Sequence, residues 1–313
     1  MRKTALITGV SGYLGSHLAK TLNLAGWKVV GLDKRHTDNR YIHLFYPCDV
    51  NDNESLNILF DRVNIDVVFH LAGRIEVGES IEHPELFWDV NVGGTTNLLN
   101  IMREYNVRNI VYSSTAGLYR SSGTDLSEKD QIADNNPYAN SKYAAECAIR
   151  NSTMNHIIFR FFNLAGADPD GETGERHNPE THLIPLLFKN LNNFVINGND
   201  YRTPDGTCIR DYVHVSDVAD AHVAAADYMQ TRMANQPNTF NLGTGKGYSV
   251  LEVIQTAVEE LKIPINYTFG KKREGDPPRL VAITDLAKKH LKFKPKHDLK
   301  SILRTAYAWH EKH

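Results

Sequence analysis

Short apolar runs alternate with amphipathic stretches along the first half of the chain. Thr4 to Thr8 read as a buried strand, and Ser16 to Leu24 as a helix with Leu18, Leu22 and Ala25 on its apolar side. Lys28 to Leu32 form a second strand ending at Asp33, and His43 to Tyr46 a third ending near Asp49. Ser55 to Val63 follow as a helix, Asp66 to Leu71 as a strand, Pro84 to Tyr105 as a long helix, and Asn109 to Ser113 and Ile157 to Phe162 as strands. Strands and helices of these lengths in alternation predict an α/β fold with a doubly wound parallel sheet. Ligands of such sheets bind beyond the carboxyl ends of the strands. Those ends here are Gly9, Asp33, Asp49, Ala72-Gly73, Ser113-Ser114-Thr115 and Asn163, all small or polar.

The pattern changes after Gly166. Asp, Gly, Glu and Asn dominate up to Thr181, which predicts loop. Ser249-Val250-Leu251-Glu252 is a capping box opening a helix with Val250, Val253, Ile254, Ala257, Val258 and Leu261 on its buried side. A last helix runs from Leu299 to His310. Residues 1–165 are therefore expected to form the sheet domain, with a return segment near 208–245. Residues 166–313 are expected to form mainly a smaller mixed α/β domain.

With 313 residues, 41% hydrophobic and 23% charged, the chain has the composition of an ordinary globular protein. The formal charge is 35 − 37 = −2, with no basic stripe for nucleic acid or a membrane surface. No apolar run is long enough to span a bilayer. The run after Met1-Arg2-Lys3 stops at Gly9, too short for a signal peptide. Cys48, Cys147 and Cys208 are scattered and odd in number, which fits a reducing, cytoplasmic setting. Fourteen histidines invite a metal hypothesis, but no His-Glu-x-x-His or paired Cys/His spacing occurs, so no metal is expected. His70, inside a strand, is read as a satisfied core residue.

Candidate chemistry begins at Gly9-Val10-Ser11-Gly12-Tyr13-Leu14-Gly15. Glycines at 9, 12 and 15 allow a tight turn, close approach of a pyrophosphate and close packing of helix on strand. The phosphates would sit on the helix amino terminus, as in a Rossmann fold. The spacing is Gly-x-x-Gly-x-x-Gly, not the commoner Gly-x-Gly-x-x-Gly. Asp33 lies about 20 residues on, placed to bond an adenosine ribose and repel a 2′-phosphate, which favours NAD. Lys34 and Arg35 argue for NADP, and a solvated loop is the preferred reading for them. Further on, Tyr138 and Lys142 are four residues apart and share one helix face. A free tyrosine has a pKa of about 10, and a nearby cation favours the phenolate. The plain alternative is a solvated surface pair.

The glycine triplet, Asp33, Ala72-Gly73, Asn91, Ser113-Ser114-Thr115 and Tyr138-x-x-x-Lys142 resemble the extended short-chain dehydrogenases/reductases. More narrowly, Val77-Gly78-Glu79-Ser80, Arg160-Phe161-Phe162-Asn163-Leu164-Ala165-Gly166-Ala167, Gly198-Asn199-Asp200-Tyr201, Asp205 to Val215, Asn241-Leu242-Gly243 and Arg273-Glu274-Gly275-Asp276 are similar to the UDP-glucose 4-epimerase family. The resemblance covers essentially the whole chain. It implies a resident NAD held by Gly9, Gly12, Tyr13, Leu14, Gly15, Asp33, Asp49, Val50, Leu71, Ala72, Gly73, Asn91, Ser113, Tyr138 and Lys142. It makes Tyr138 the acid/base at the sugar 4-hydroxyl, Lys142 the partner of the nicotinamide ribose, and Thr115 the partner of the sugar 4-oxygen. Hydride would pass from sugar C4 to NAD⁺, and the 4-keto sugar would turn and take it back on its other face. The nucleotide sugar would be held by Asn163, His182, Leu183, Arg210, Tyr212, Arg273 and Asp276, the two arginines at the diphosphate. A homodimer paired through Pro84–Tyr105 and Pro137–Arg150, and a role in galactose metabolism, complete the implication.

Related 4,6-dehydratases carry an Asp-Glu pair after the threonine, whereas Ala116-Gly117 stand here, which favours epimerisation. The chain departs from the resemblance at Ile75, where some relatives have a lysine beside NAD, with Arg74 as an alternative cation. Arg120 replaces a usual glycine. Leu280 stands where a tyrosine often closes the pocket to N-acetylated sugars, so UDP-glucose and UDP-galactose are expected, with UDP-N-acetylglucosamine the alternative. A UDP-glucuronate epimerase or decarboxylase and a non-catalytic NAD-binding protein are the other readings, the latter disfavoured because Tyr138 and Lys142 are both present.

Overall fold

The computed structural model describes residues 2–121, 123–273 and 276–313. Among the described residues the strands are β1 (Thr4–Thr8), β2 (Lys28–Asp33), β3 (Leu44–Pro47), β4 (Val67–His70), β5 (Asn109–Thr115), β6 (Asn155–Phe161), β7 (Asn163–Ala165), β8 (Phe194–Asn197), β9 (Ile209–His214), β10 (Thr239–Leu242), β11 (Gly247–Ser249), β12 (Tyr267–Gly270) and β13 (Arg279–Leu280). The α-helices are α1 (Tyr13–Leu24), α2 (Asn53–Arg62), α3 (Val77–Glu82), α4 (Pro84–Phe87), α5 (Thr95–Glu104), α6 (Pro137–Arg150), α7 (Leu183–Lys189), α8 (Val215–Thr231), α9 (Val250–Leu261), α10 (Asp285–Leu291) and α11 (Leu299–His310).

Seven strands make one parallel sheet in the order β10-β6-β5-β4-β1-β2-β3. Its strands alternate sides residue by residue. Ala5, Ile7, Val67, Phe69 and Val111 join a core on one face with Leu14, Leu18 and Leu22 of α1, Val218 and Ala221 of α8, and Leu291 of α10. Leu6, Val68, Ile110 and Tyr112 join a core on the other face with Leu56 and Leu59 of α2, Leu98 and Met102 of α5, and Ile149 of α6. The strand order turns back between β1 and β4, so the crevice beyond their carboxyl ends is the expected ligand position. β10 returns to this sheet from late in the chain.

A separate core lies around α7, α9 and α11, with Ile184, Leu187, Val253, Ile254, Ile302 and Leu303. Beside it β9 pairs with β7, β11 and β13. The capping box forms as expected: Ser249 Oγ accepts from Glu252 N–H and the Glu252 carboxylate accepts from Ser249 N–H. Val258 departs from expectation and is 37% exposed. It lies eight positions beyond Val250, at the edge of the helix stripe.

The long helix expected over Pro84–Tyr105 is interrupted. Trp88–Gly94 between α4 and α5 winds as a π-helix. Gly94 packs against Val50, where a Cβ would lie 2.5 Å from Val50 Cγ2. The wider turn carries Asn91, whose buried side chain is described below; π-turns of this kind recur at functional sites.

Candidate active site

β1 delivers the chain to Gly9, which turns at φ +73° and donates its N–H to Leu32 O at 2.8 Å. A side chain there would strike the opposite loop, with Cβ 2.8 Å from Ala72 N. α1 starts at Tyr13 behind Gly12, which offers no side-chain cap, and no acidic residue occupies the first turn. Its first N–H groups are left for an anion. Gly15 lies inside that first turn, and a Cβ on it would sit 2.2 Å from Gly9 O. Leu71 and Ala72 wall the other side, their N–H groups donating to Thr8 O and Thr8 Oγ1.

Asp33 ends β2 with its side chain 11% exposed. One carboxylate oxygen accepts from Ser11 N–H at 3.0 Å and the other from Arg35 N–H at 2.9 Å. Lys34 pairs with Asp49 at 3.0 Å, and Arg35 Nε lies 3.9 Å from Asp33. Both cations thus face carboxylates, which leaves Asp33 as the group suited to a ribose diol. Val50 is buried beside Gly94, and its carbonyl accepts from Asn97 Nδ2 at 2.7 Å.

The candidate catalytic pair stands on α6. Asn136 caps the helix, its Oδ1 accepting from Ala139 N–H at 2.9 Å, and Pro137 occupies the first turn. Tyr138 follows, its ring edge-on to Phe87 with centroids 6.4 Å apart. Thr115 closes β5 and its Oγ1 accepts from Gly117 N–H at 3.0 Å. Burial pushes the Tyr138 phenol above its ordinary 10, the Thr115 hydroxyl pulls it back by hydrogen bonding, and the Glu76 charge adds to the rise. Lys142 stands one turn further along α6. Its ammonium lies 4.5 Å over the Tyr112 ring and close to Gly73 and Asn91. Burial takes the Lys142 amine down to about 7, with Glu146 opposing.

Around Lys142 several polar groups lack partners. Among the described residues no hydrogen bond or ion pair engages its ammonium, and the buried Ser113 Oγ is unpaired. Asn91, by contrast, is fully engaged. Its Oδ1 accepts from Arg74 N–H, and its Nδ2 donates to Arg74 O and Ser141 Oγ. It thereby locks the Gly73–Arg74 turn to α6. Arg74 is held by Glu79 at 2.9 Å and stacks on Phe87, so it does not replace the cation missing at Ile75. The glycine turn, the Asp33 carboxylate and the Lys142 ammonium beside Gly73 together fit a dinucleotide.

Asn163 and Tyr212 are paired across β7 and β9. The Arg210 guanidinium bonds Asp276 at 2.5 Å and the Pro277 carbonyl at 2.8 Å. Arg273 lies near Asn197, while Glu274 and Gly275 between it and Asp276 lie outside the described residues. Leu280 packs against the cluster that holds Ala116, Leu118, Ala139 and Phe162, of which Ala116 follows Thr115 and Ala139 follows Tyr138 in the chain. His182 precedes α7 and Leu183 begins it. The His182 imidazole turns to Glu175, with Nδ1 to Oε1 2.5 Å. The sequence rejected a metal on spacing; the loop nonetheless brings Glu175, His177, Glu180 and His182 together.

Residues 5–243 match the NAD dependent epimerase/dehydratase family. The chain belongs to that family. It is 38% identical to a UDP-glucose 4-epimerase of Halalkalibacterium halodurans over 98% of this chain and 96% of the relative. Its fold superimposes with a TM-score of 0.92 at 32% identity on UDP-glucose 4-epimerase from Bifidobacterium longum in complex with NAD+ and UDP, covering 99% of each chain. A TM-score of 0.93 at 30% identity relates it to the Stenotrophomonas maltophila enzyme with bound NAD and formylated UDP-arabinopyranose, over 99% of this chain and 98% of the other.

Within this epimerase/dehydratase fold a buried support network escaped the sequence reading. Glu146, one turn beyond Lys142, is fully buried and bonds Arg160 through both carboxylate oxygens at 3.0 and 2.7 Å. Ser114 Oγ donates to the same carboxylate at 2.5 Å. Arg160 also donates to Tyr119 Oη at 3.0 Å, and Tyr119 donates to Asn241 Oδ1 at 2.7 Å. The signal was an arginine and a glutamate at positions where periodicity demands apolar residues. His70 is satisfied as expected, between Thr8 Oγ1 at 2.7 Å and Thr95 Oγ1 at 2.9 Å.

Proposed function

We infer that this chain is an NAD-dependent isomerase that interconverts UDP-glucose and UDP-galactose by oxidation and re-reduction at sugar C4. What supports this reading is the hydrogen-bonded Thr115–Tyr138 pair, the Lys142 ammonium beside Gly73, and Ala116-Gly117 following the threonine. Bound NAD⁺ supplies a hydride acceptor that returns the hydride within the same turnover. The chain supplies the rest. Tyr138 removes the proton from the sugar 4-hydroxyl and later restores it, with Thr115 bonding both the phenol and the sugar oxygen. Lys142, brought down to about 7 by burial, donates to the ribose hydroxyls of the cofactor and regains full charge as those acceptors arrive. Asn91 holds the turn that faces it.

Gly9, Gly12, Tyr13, Leu14 and Gly15 take the pyrophosphate, Asp33 the adenosine ribose, and Asp49 and Val50 the adenine side. Arg210 and Arg273 take the UDP diphosphate, with Asn163, His182, Leu183, Tyr212 and Asp276 around the nucleotide sugar. Leu280 narrows the sugar pocket less than a tyrosine, so UDP-glucose and UDP-galactose are the preferred pair and UDP-N-acetylglucosamine a slower substrate. Equal or faster turnover of the N-acetyl sugar would reverse that order. The activity belongs to galactose metabolism in the cytoplasm. A homodimer fits the exposed Leu86, Trp88 and Tyr143 on the segments expected to pair, and a monomer by light scattering would exclude it.

The test is conversion of UDP-galactose by the purified protein with no nucleotide added. Appearance of UDP-glucose supports a resident cofactor. Turnover that consumes NAD⁺ one for one and releases NADH would identify a dehydrogenase instead.

A further inference from the structure

The loop between β7 and α7 gathers four ligand-bearing side chains. Glu175, His177, Glu180 and His182 each offer one ligand atom, and the four atoms lie within 4.8 Å of one another. His177 Nδ1 is 3.3 Å from Glu175 Oε1 and 3.8 Å from Glu180 Oε2; His182 Nδ1 is 2.5 Å from Glu175 Oε1 and 3.6 Å from Glu180 Oε1. Metal–ligand bonds of about 2.0–2.2 Å at tetrahedral angles separate ligand atoms by roughly 3.3–3.6 Å. Two of the four distances fall within that spacing, 3.8 Å lies just beyond it, and the 2.5 Å His182–Glu175 approach opens when an ion enters.

The polar atoms here are short of hydrogen bonds. Glu175 Oε1, His177 Nδ1 and His182 Nδ1 are all buried and stand within ion-pair distance of one another, but none is aligned for a hydrogen bond. An imidazole and a carboxylate joined by a shared proton would align for a hydrogen bond, whereas ligands of a common ion point at the ion. The Glu175 and Glu180 side chains are only 6% and 3% exposed. Among the described residues no lysine or arginine pairs with either. The groups within pairing distance of them are the His177 and His182 imidazoles, and buried carboxylates are matched by such cations or by a metal.

We propose that Glu175, His177, Glu180 and His182 bind one divalent transition-metal ion, zinc fitting best, as a closed structural site. Two neutral imidazoles and two carboxylates balance a dication and fill four positions, leaving none open for a reacting water. Magnesium and calcium, which seek more ligands and all-oxygen sets, fit poorly.

The ion's place explains its use. Upstream, Asp168 and Asp170 hold Lys20 of α1 at 2.9 and 2.7 Å, and Tyr13 Oη donates to Gly166 O at 2.5 Å. The His177 ring lies edge-on to Tyr13, and Trp309 of α11 donates to Glu175 O at 3.2 Å. The metal thus pins the strap from Gly166 to Leu183 between the glycine-turn helix and α11. Its value for holding the nucleotide sugar rests on the proposed function; its occurrence does not.

The experiment is elemental analysis of untagged protein purified without chelator. Wild type should carry about one zinc per chain, with a nitrogen/oxygen shell at about 2.0–2.1 Å by X-ray absorption. His177→Ala combined with Glu180→Gln should carry less than about a tenth of that, while His290→Ala on α10 keeps the full amount. If the double variant does not fold, wild type stripped with EDTA and titrated with zinc chloride decides, a single tight site and a raised unfolding temperature being expected. Metal-free wild type that takes up no zinc, uptake of magnesium or calcium only, or full zinc content in the folded double variant would each overturn the proposal. Zinc bound by a protein inactive on UDP-galactose would refute the proposed function and leave the metal site standing.

Discussion

Replacing Lys142 by methionine should stabilise the cofactor-free protein while destroying its activity. The amine falls from its ordinary 10.5 to about 7 because burial removes its hydration, which the Glu146 charge opposes only in part. A tenfold change in proton affinity corresponds to about 1.4 kcal/mol, so holding the ammonium in the fold costs up to about 5 kcal/mol below pH 7. The sign follows from linkage. Between pH 7 and 10.5 the unfolded chain holds the proton more tightly than the folded one, so wild-type stability rises with pH through that window. The cost vanishes above 10.5, and relaxation around the charge reduces it. Methionine keeps the aliphatic stem over the Tyr112 ring and carries no charge. Urea unfolding of NAD-free protein at pH 7 should show a gain of roughly 2–5 kcal/mol for Lys142→Met, shrinking to under about 1 kcal/mol at pH 10. Added NAD should favour wild type, whose ammonium then finds acceptors. A variant no more stable than wild type at pH 7 would refute the reasoning.

Other perturbations read other parts of the site. Tyr138→Phe should lower kcat by about 10² or more with NAD content unchanged; near-normal turnover would remove the phenol from the mechanism. Gly15→Ala places a Cβ 2.2 Å from Gly9 O, so the purified variant should contain little or no dinucleotide when its acid extract is assayed. Glu146→Gln leaves Arg160 with its charge buried and should cost about 3–5 kcal/mol in urea unfolding; a loss under about 1 kcal/mol would show that the pair is not a structural support.

The parallel sheet was readable because strands covered on both faces appear as unbroken apolar runs, as at Ala5-Leu6-Ile7. Its edges were less so. β5 runs on to Thr115 and β6 starts at Asn155, because polar residues keep their ladder partners where hydropathy suggests a stop. The π-turn at Trp88–Gly94 leaves no periodic mark that separates it from α-helix over so short a span. Tyr138 and Lys142 were legible as a pair, but the direction of their proton affinities was not, since burial governs both and spacing says nothing of burial. Glu146 and Arg160 are adjacent only after α6 crosses β6. The four ligands at 175–182 went unseen for the opposite reason. They are local, yet they sit in a loop, where the helical spacing of familiar metal motifs does not apply.

The most direct test follows one hydrogen. UDP-galactose carrying deuterium at C4, turned over by the purified protein in ordinary water, should give UDP-glucose with the deuterium still at C4, because the hydride is lent and returned inside the site. Loss of the label to solvent would mean that C4 is inverted by proton exchange, and the account built on Tyr138 and a resident dinucleotide would be wrong.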